Sequence, residues 1–92
     1  MFHGKFNQLI EKNVLPSELQ SIKFGSFNQL IKKDVLLSGL QSIQFTSDFN
    51  QPIEKDVLLS GLQLIELWSP FKQSLVNIPE QTQIYYSNVF YV

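Results

Sequence analysis

A chain of 92 residues holds one small domain, and 43% hydrophobic against 16% charged residues supplies enough apolar material for a core. Seven Lys, no Arg and 8 acidic residues leave a net charge of -1, without the clustered cations that track phosphate, so no nucleic-acid partner is expected. The absence of Cys excludes a disulfide framework, a thiolate metal site and a cysteine nucleophile. No apolar run approaches the ~18 residues of a spanning helix, and "MFHGKFNQ" lacks the apolar middle of a secretory signal, which points to a cytoplasmic chain with no membrane partner.

Residues 1–5 read as a partial opening unit, with Phe2 where a strand-ending Phe belongs. Phe6 then opens "FNQLIEKNVLPSELQSIKF", Phe27 opens "FNQLIKKDVLLSGLQSIQF", Phe49 opens "FNQPIEKDVLLSGLQLIEL", and Phe71 opens a weaker copy with "FKQ". The separations are 21, 22 and 22 residues; units one and two agree at 15 of 21 positions and units two and three at 15 of 22. Such agreement is the mark of duplication. Residues 1–92 therefore form one repeat domain, with units at 6–26, 27–48 and 49–70 and a degenerate terminal unit at 71–92.

The period selects the architecture. Helix-pair repeats need about 33 residues or more, whereas leucine-rich coils run about 20 to 29. A unit of this size holds one strand and its return path, giving a mainly β solenoid with one short parallel strand per repeat. The strands are expected at Leu19–Phe24, Leu40–Phe45 and Leu62–Leu67, where "LQSIKF", "LQSIQF" and "LQLIEL" place their fourth and sixth residues on one face. About 15 residues separate successive strands, too many for a hairpin and enough for the crossover that parallel neighbours need. Stacking then makes core columns of Ile22, Ile43 and Ile65, of Phe24, Phe45 and Leu67, and of Leu19, Leu40 and Leu62. On the return path, Ile10, Ile31 and Ile53, then Val14, Val35 and Val57, then Leu15, Leu36 and Leu58 close the other side. An alternative makes "FNQLIKKDVLL" a short amphipathic helix, since Phe27, Leu30, Ile31 and Val35 lie near one helical stripe.

These units resemble the FNIP repeat, a 22-residue relative of the leucine-rich repeat. The resemblance rests on "FNQ" at 6–8, 27–29 and 49–51, on "FKQ" at 71–73, on "VLPS" at 14–17 and on "VLLS" at 35–38 and 57–60. It implies a leucine-rich-repeat-like solenoid of the kind found as long arrays in social amoebae and giant amoebal viruses, often behind an F-box, and it implies protein binding as the role. With five residues ahead of the first unit, a ubiquitin-ligase adaptor is not expected. The family's proline stands at Pro16 and gives way to Leu37 and Leu59. Where the family often has Gly before "VLP", the chain has Asn13, Asp34 and Asp56, the residue types that best tolerate positive φ, so the left-handed turn is expected to survive.

Among candidate site residues, Asn7, Asn28 and Asn50 follow the Phe6, Phe27, Phe49 and Phe71 column, and their expected role is a structural ladder that satisfies backbone groups at the corner. Lys72 breaks that column, so the ladder ends there and the last unit is a cap. Gln8, Gln29, Gln51 and Gln73 persist even where Asn is lost, with a share in the ladder as the one role on offer. The outward strand residues are Ser21 and Lys23, Ser42 and Gln44, and Leu64 and Glu66. With Trp68 they form the candidate protein-binding face, its partner unknown. Trp68 is either covered by the terminal segment or an anchor for a partner.

Catalysis and metal chemistry have no residues to work with. His3 is the sole His, Asp34, Asp48, Glu54 and Asp56 lack calcium-loop spacing, and Ser17, Ser38 and Ser60 repeat as turn residues with no base to activate them. No enzyme activity, metal or cofactor is expected. Repeat coils bury little alone and normally carry polar caps. No N-terminal cap is visible, so self-association through uncapped ends is a second reading, that of a structural piece of a longer array. The final strand falls within "IPEQTQIYYSNVFYV" in one of two registers: Ile84 keeps its spacing from Phe71, or Ile78-Pro79 marks a two-residue deletion.

Overall fold

The computed structural model describes residues 7–46, 48–68 and 71–87; the expectations for Phe2, His3 and Phe6 lie outside them. Four parallel strands, β1 (Ser21–Lys23), β2 (Ser42–Gln44), β3 (Leu64–Trp68) and β4 (Gln83–Ser87), form one sheet in sequence order. The register is the one the repeats dictate: Ile22 faces Ile43, Ile43 faces Ile65, and Ile65 faces Ile84. The first two strands are shorter than the sequence suggests. Leu40 and Leu62 sit in the turn that precedes their strand, donating to the carbonyls of Leu37 and Leu59 at 3.1 and 3.0 Å. At the far end Phe24 and Phe45 still donate to the next strand, to Gln44 O at 2.8 Å and Glu66 O at 3.0 Å.

The return path contains no helix among the described residues. Asn13, Asp34 and Asp56 adopt φ of 70°, 70° and 66°, and a left-handed residue cannot continue a right-handed helix. One turn survives per unit, closed by Val14, Val35 and Val57 donating to Glu11, Lys32 and Glu54 at 3.3 Å each. Asn and Asp thus take the place of the family's Gly. The next turn, ending at Leu19, Leu40 and Leu62, uses the carbonyl of Pro16, Leu37 or Leu59. That role requires no N–H, which is why Pro and Leu exchange there.

The core is built from columns. Ile22, Ile43 and Ile65 are buried, as are Ile10, Ile31 and Ile53 on the opposite wall and Leu15, Leu36 and Leu58 beside them. Phenylalanine fills the end of the coil that follows the strand. Phe24 stacks on Phe45 at 5.2 Å, Phe27 on Phe49 at 6.3 Å and Phe49 on Phe71 at 5.8 Å, all within 8° of parallel. Phe24 also stacks on Phe27 at 4.5 Å and Phe45 on Phe49 at 3.9 Å. Ring pairs of this kind add about 0.5–1.5 kcal/mol to what their area burial contributes.

Val14 departs from expectation. Val35 and Val57 are 3% exposed, but Val14 is 58% exposed, because the valine column is covered by the preceding unit and no described unit lies below the first. Glu18, Gly39 and Gly61 share a position in their units. A Cβ at Gly39 would lie in ordinary contact, 3.4 Å from Ser17 O, and one at Gly61 would be tight, 3.1 Å from Ser38 O.

The fourth unit is shortened. Pro79 takes the place of Pro16, with Thr82 donating to Pro79 O at 3.0 Å, so the deletion reading of Ile78-Pro79 holds. One further residue is lost before Ile84 reaches its place opposite Ile65. Side chains of the fourth unit tie it to the third: Asn77 Nδ2 donates to Ile53 O at 3.0 Å, Thr82 Oγ1 to Leu62 O at 2.7 Å, and Gln81 Nε2 to Ser60 O.

Candidate functional site

Strand geometry sends alternate side chains to opposite faces. In β3, Ile65 and Leu67 point into the core, and Leu64, Glu66 and Trp68 therefore point out. The parallel register extends that outer face across the sheet. One row runs Ser21, Ser42, Leu64 and Gln83, and the next runs Lys23, Gln44, Glu66 and Tyr85. All seven expected face residues thus lie on one surface. Ser21, Lys23 and Leu64 are exposed, while Ser42, Gln44, Glu66 and Trp68 are half-buried. Trp68 ends β3 opposite Ser87 and is neither fully buried nor fully exposed.

Two polar features organise this face. Gln44 Nε2 donates to Glu66 Oε2 at 2.7 Å, which holds the carboxylate in place while leaving its second oxygen for another donor. Lys23 stands two strands away, so charge grades from positive at β1 to negative at β3. A shallow groove of about 230 Å³ runs over Ser21, Lys23, Ser42, Gln44, Leu64 and Glu66. A second concavity continues from Leu64 to Gln81 and Gln83. Gln83 and Tyr85, the latter 58% exposed, belong to the face but could not be assigned from the sequence until the register of the last strand was known. The alternation in "QIYYS" was the available signal.

Behind the face runs the amide ladder. Asn28 N donates to Asn7 Oδ1 at 2.7 Å, Asn50 N to Asn28 Oδ1 at 2.9 Å, and Lys72 N to Asn50 Oδ1 at 3.5 Å. Gln explains itself in the same geometry. Gln29, Gln51 and Gln73 each donate from Nε2 to the backbone oxygen and the Oδ1 of the Asn in the unit before, at 3.1–3.4 Å. Asn7, Asn28 and Asn50 thus accept from the unit after, and Gln29, Gln51 and Gln73 donate to the unit before. In the fourth unit "FKQ" keeps this Gln, and Gln73 still donates to Asn50. Phe27, Phe49 and Phe71 pack beneath this ladder as the sequence suggests.

Among the described residues no group of three or more His, Asp or Glu is placed to hold a metal ion, and no helix is long and apolar enough to cross a membrane.

Parallel strands stacked one per 21–22-residue coil, with an amide ladder at the corner, define a leucine-rich-repeat-like solenoid. The particular family follows from the repeats themselves: residues 1–27 and 27–69 match the FNIP Repeat model, and the chain belongs to the FNIP repeat family. A solved giant-virus structure, described as that of CroV588, a novel circular LRR protein, is similar to the chain with a TM-score of 0.79 and 34% sequence identity. The similarity covers 90% of this chain and 12% of that one. No curated protein matches the chain.

Proposed function

We propose that this protein is a non-enzymatic interaction scaffold that presents the outer face of its parallel sheet to a protein partner. The observation that carries the reading is the contrast between the two faces of the same strands. Inward positions repeat as Ile22, Ile43, Ile65 and Ile84, whereas outward positions change from Ser21 and Lys23 to Leu64 and Glu66 and on to Gln83 and Tyr85. Packing constrains the first set; the second is free to specialise. The groove offers an exposed Leu64, an oriented Glu66 and a half-covered Trp68, the combination of apolar anchor and placed polar group on which protein interfaces concentrate their energy. Solenoids commonly bind through such extended faces.

The test is capture of partners by the purified chain, with Leu64→Ser/Glu66→Lys as the altered face and Glu54→Lys on the exposed return path as control. The reading expects a protein enriched by wild type and by Glu54→Lys and lost with the double variant. Equal recovery by all three would sink it.

A further inference from the structure

Charge and aromatic groups are distributed unevenly over the outer face. Glu66 stands in a row between Gln44 on β2 and Tyr85 on β4, and Leu64 and Trp68 are its same-face neighbours along β3. It is half-buried, and its carboxylate is fixed by the 2.7 Å bond from Gln44 Nε2 to Oε2, which takes one of the about four acceptor positions of such a group. A placed carboxylate beside an exposed leucine, an exposed tyrosine and a half-buried tryptophan has the parts to receive one kind of side chain. A guanidinium donates to a carboxylate through its N–H fork and lays its plane on aromatic rings, and it sheds water more readily than an ammonium does. Lys23 lies in the same row two strands away, about 10 Å at the usual strand spacing, beside Ser21 and Gln44 rather than aromatic residues. The groove crosses the strands from Lys23 to Glu66.

We propose that the partner of this face is an extended peptide segment that seats an arginine on Glu66, beside Tyr85 and Trp68, and carries an acidic residue about three positions away to meet Lys23; this rests on the scaffold role proposed above and names the chemistry of its partner. The groove connects the two charges, so a segment laid along it meets both. Opposite charges at its two ends also set the direction in which the segment lies, because reversing it would bring like charges together. A second copy of the chain fits less well. The chain has no Arg, and the cation that a copy could bring to Glu66 from its own outer face is Lys23, whose ammonium lacks the planar fork.

The experiment selects a displayed library of random peptides on the full chain, with the Leu64→Ser/Glu66→Lys variant in solution to remove peptides that bind elsewhere. Recovered peptides are titrated into the chain, and the fluorescence of Trp68, its single tryptophan, reports binding. The recovered set is expected to be enriched in Arg at a fixed spacing from Asp or Glu. Glu66→Gln, and Ala in place of the peptide's Arg, are each expected to weaken binding about tenfold or more, with Lys in place of that Arg restoring only part of the loss. Glu54→Lys should leave binding unchanged, and selection on Lys23→Glu should replace the acidic residue by a basic one. Face-dependent peptides without enriched Arg, or peptides indifferent to Glu66→Gln, overturn the proposal and leave the scaffold role standing. A library that yields no face-dependent peptide overturns it as well, the scaffold role then being decided by the capture test above. Self-association of wild type in sedimentation velocity that Glu66→Gln abolishes would seat a second copy on the face and overturn it too.

Discussion

Gln51 reaches back one full coil to Asn28, its Nε2 standing 3.1 Å from the side-chain Oδ1 and 3.2 Å from the backbone oxygen. The same Oδ1 accepts the backbone N–H of Asn50 at 2.9 Å. One asparagine oxygen therefore ties together two consecutive corners, and the tie is made by residues 22 and 23 positions away rather than by neighbours in sequence.

The ladder's bonds are not equal along the stack. Asn28→Ala removes the acceptor of a 2.9 Å and a 3.1 Å bond and should cost about 1–2 kcal/mol in urea unfolding. Asn50→Ala removes bonds of 3.5 and 3.4 Å and should cost less than about 1 kcal/mol. Equal losses, or a larger loss at Asn50, would show that the ladder does not act through these distances.

Backbone conformation makes a separate prediction at the corner. Asp34 holds φ of 70°, so Asp34→Gly should shift stability by less than about 1 kcal/mol, whereas Asp34→Val, a β-branched residue in a left-handed position, should lose about 1–3 kcal/mol. Thermal melts of the two variants decide the matter, and a valine variant as stable as the glycine variant would mean the corner relaxes into another conformation.

Two valines with the same place in their repeats should respond differently. Val35 is 3% exposed and Val14 is 58% exposed. Val35→Ala should destabilise by about 1–3 kcal/mol, and Val14→Ala should stay within about 0.5 kcal/mol of wild type. A comparable loss at both sites in equilibrium unfolding would require Val14 to be covered in solution.

Much of this was legible in the residues. The period of 21–22 set one strand per coil, the two-residue alternation of "LQSIQF" set which side of the strand is core, and Asn13, Asp34 and Asp56 pointed to a left-handed turn, as found. The outer face was legible for β1 to β3 for the same reason. Two things were not. Gln29, Gln51 and Gln73 gave no local reason for their persistence, because their partner is a coil away. The last strand's register stayed open because the fourth unit loses residues in two places, and spacing alone cannot tell which corner absorbs a deletion.

Repetition by itself determined the solenoid, its parallel register and its core columns, since identical units stack with least conflict when like positions meet and the pleat sends every second side chain inward. Position within the stack was decided only by the tertiary structure. Val14 and Val35 are the same letter in the same motif, yet one is 58% and the other 3% exposed. Burial and hydrogen bonding between coils are properties of what lies next along the stack, which no single repeat encodes.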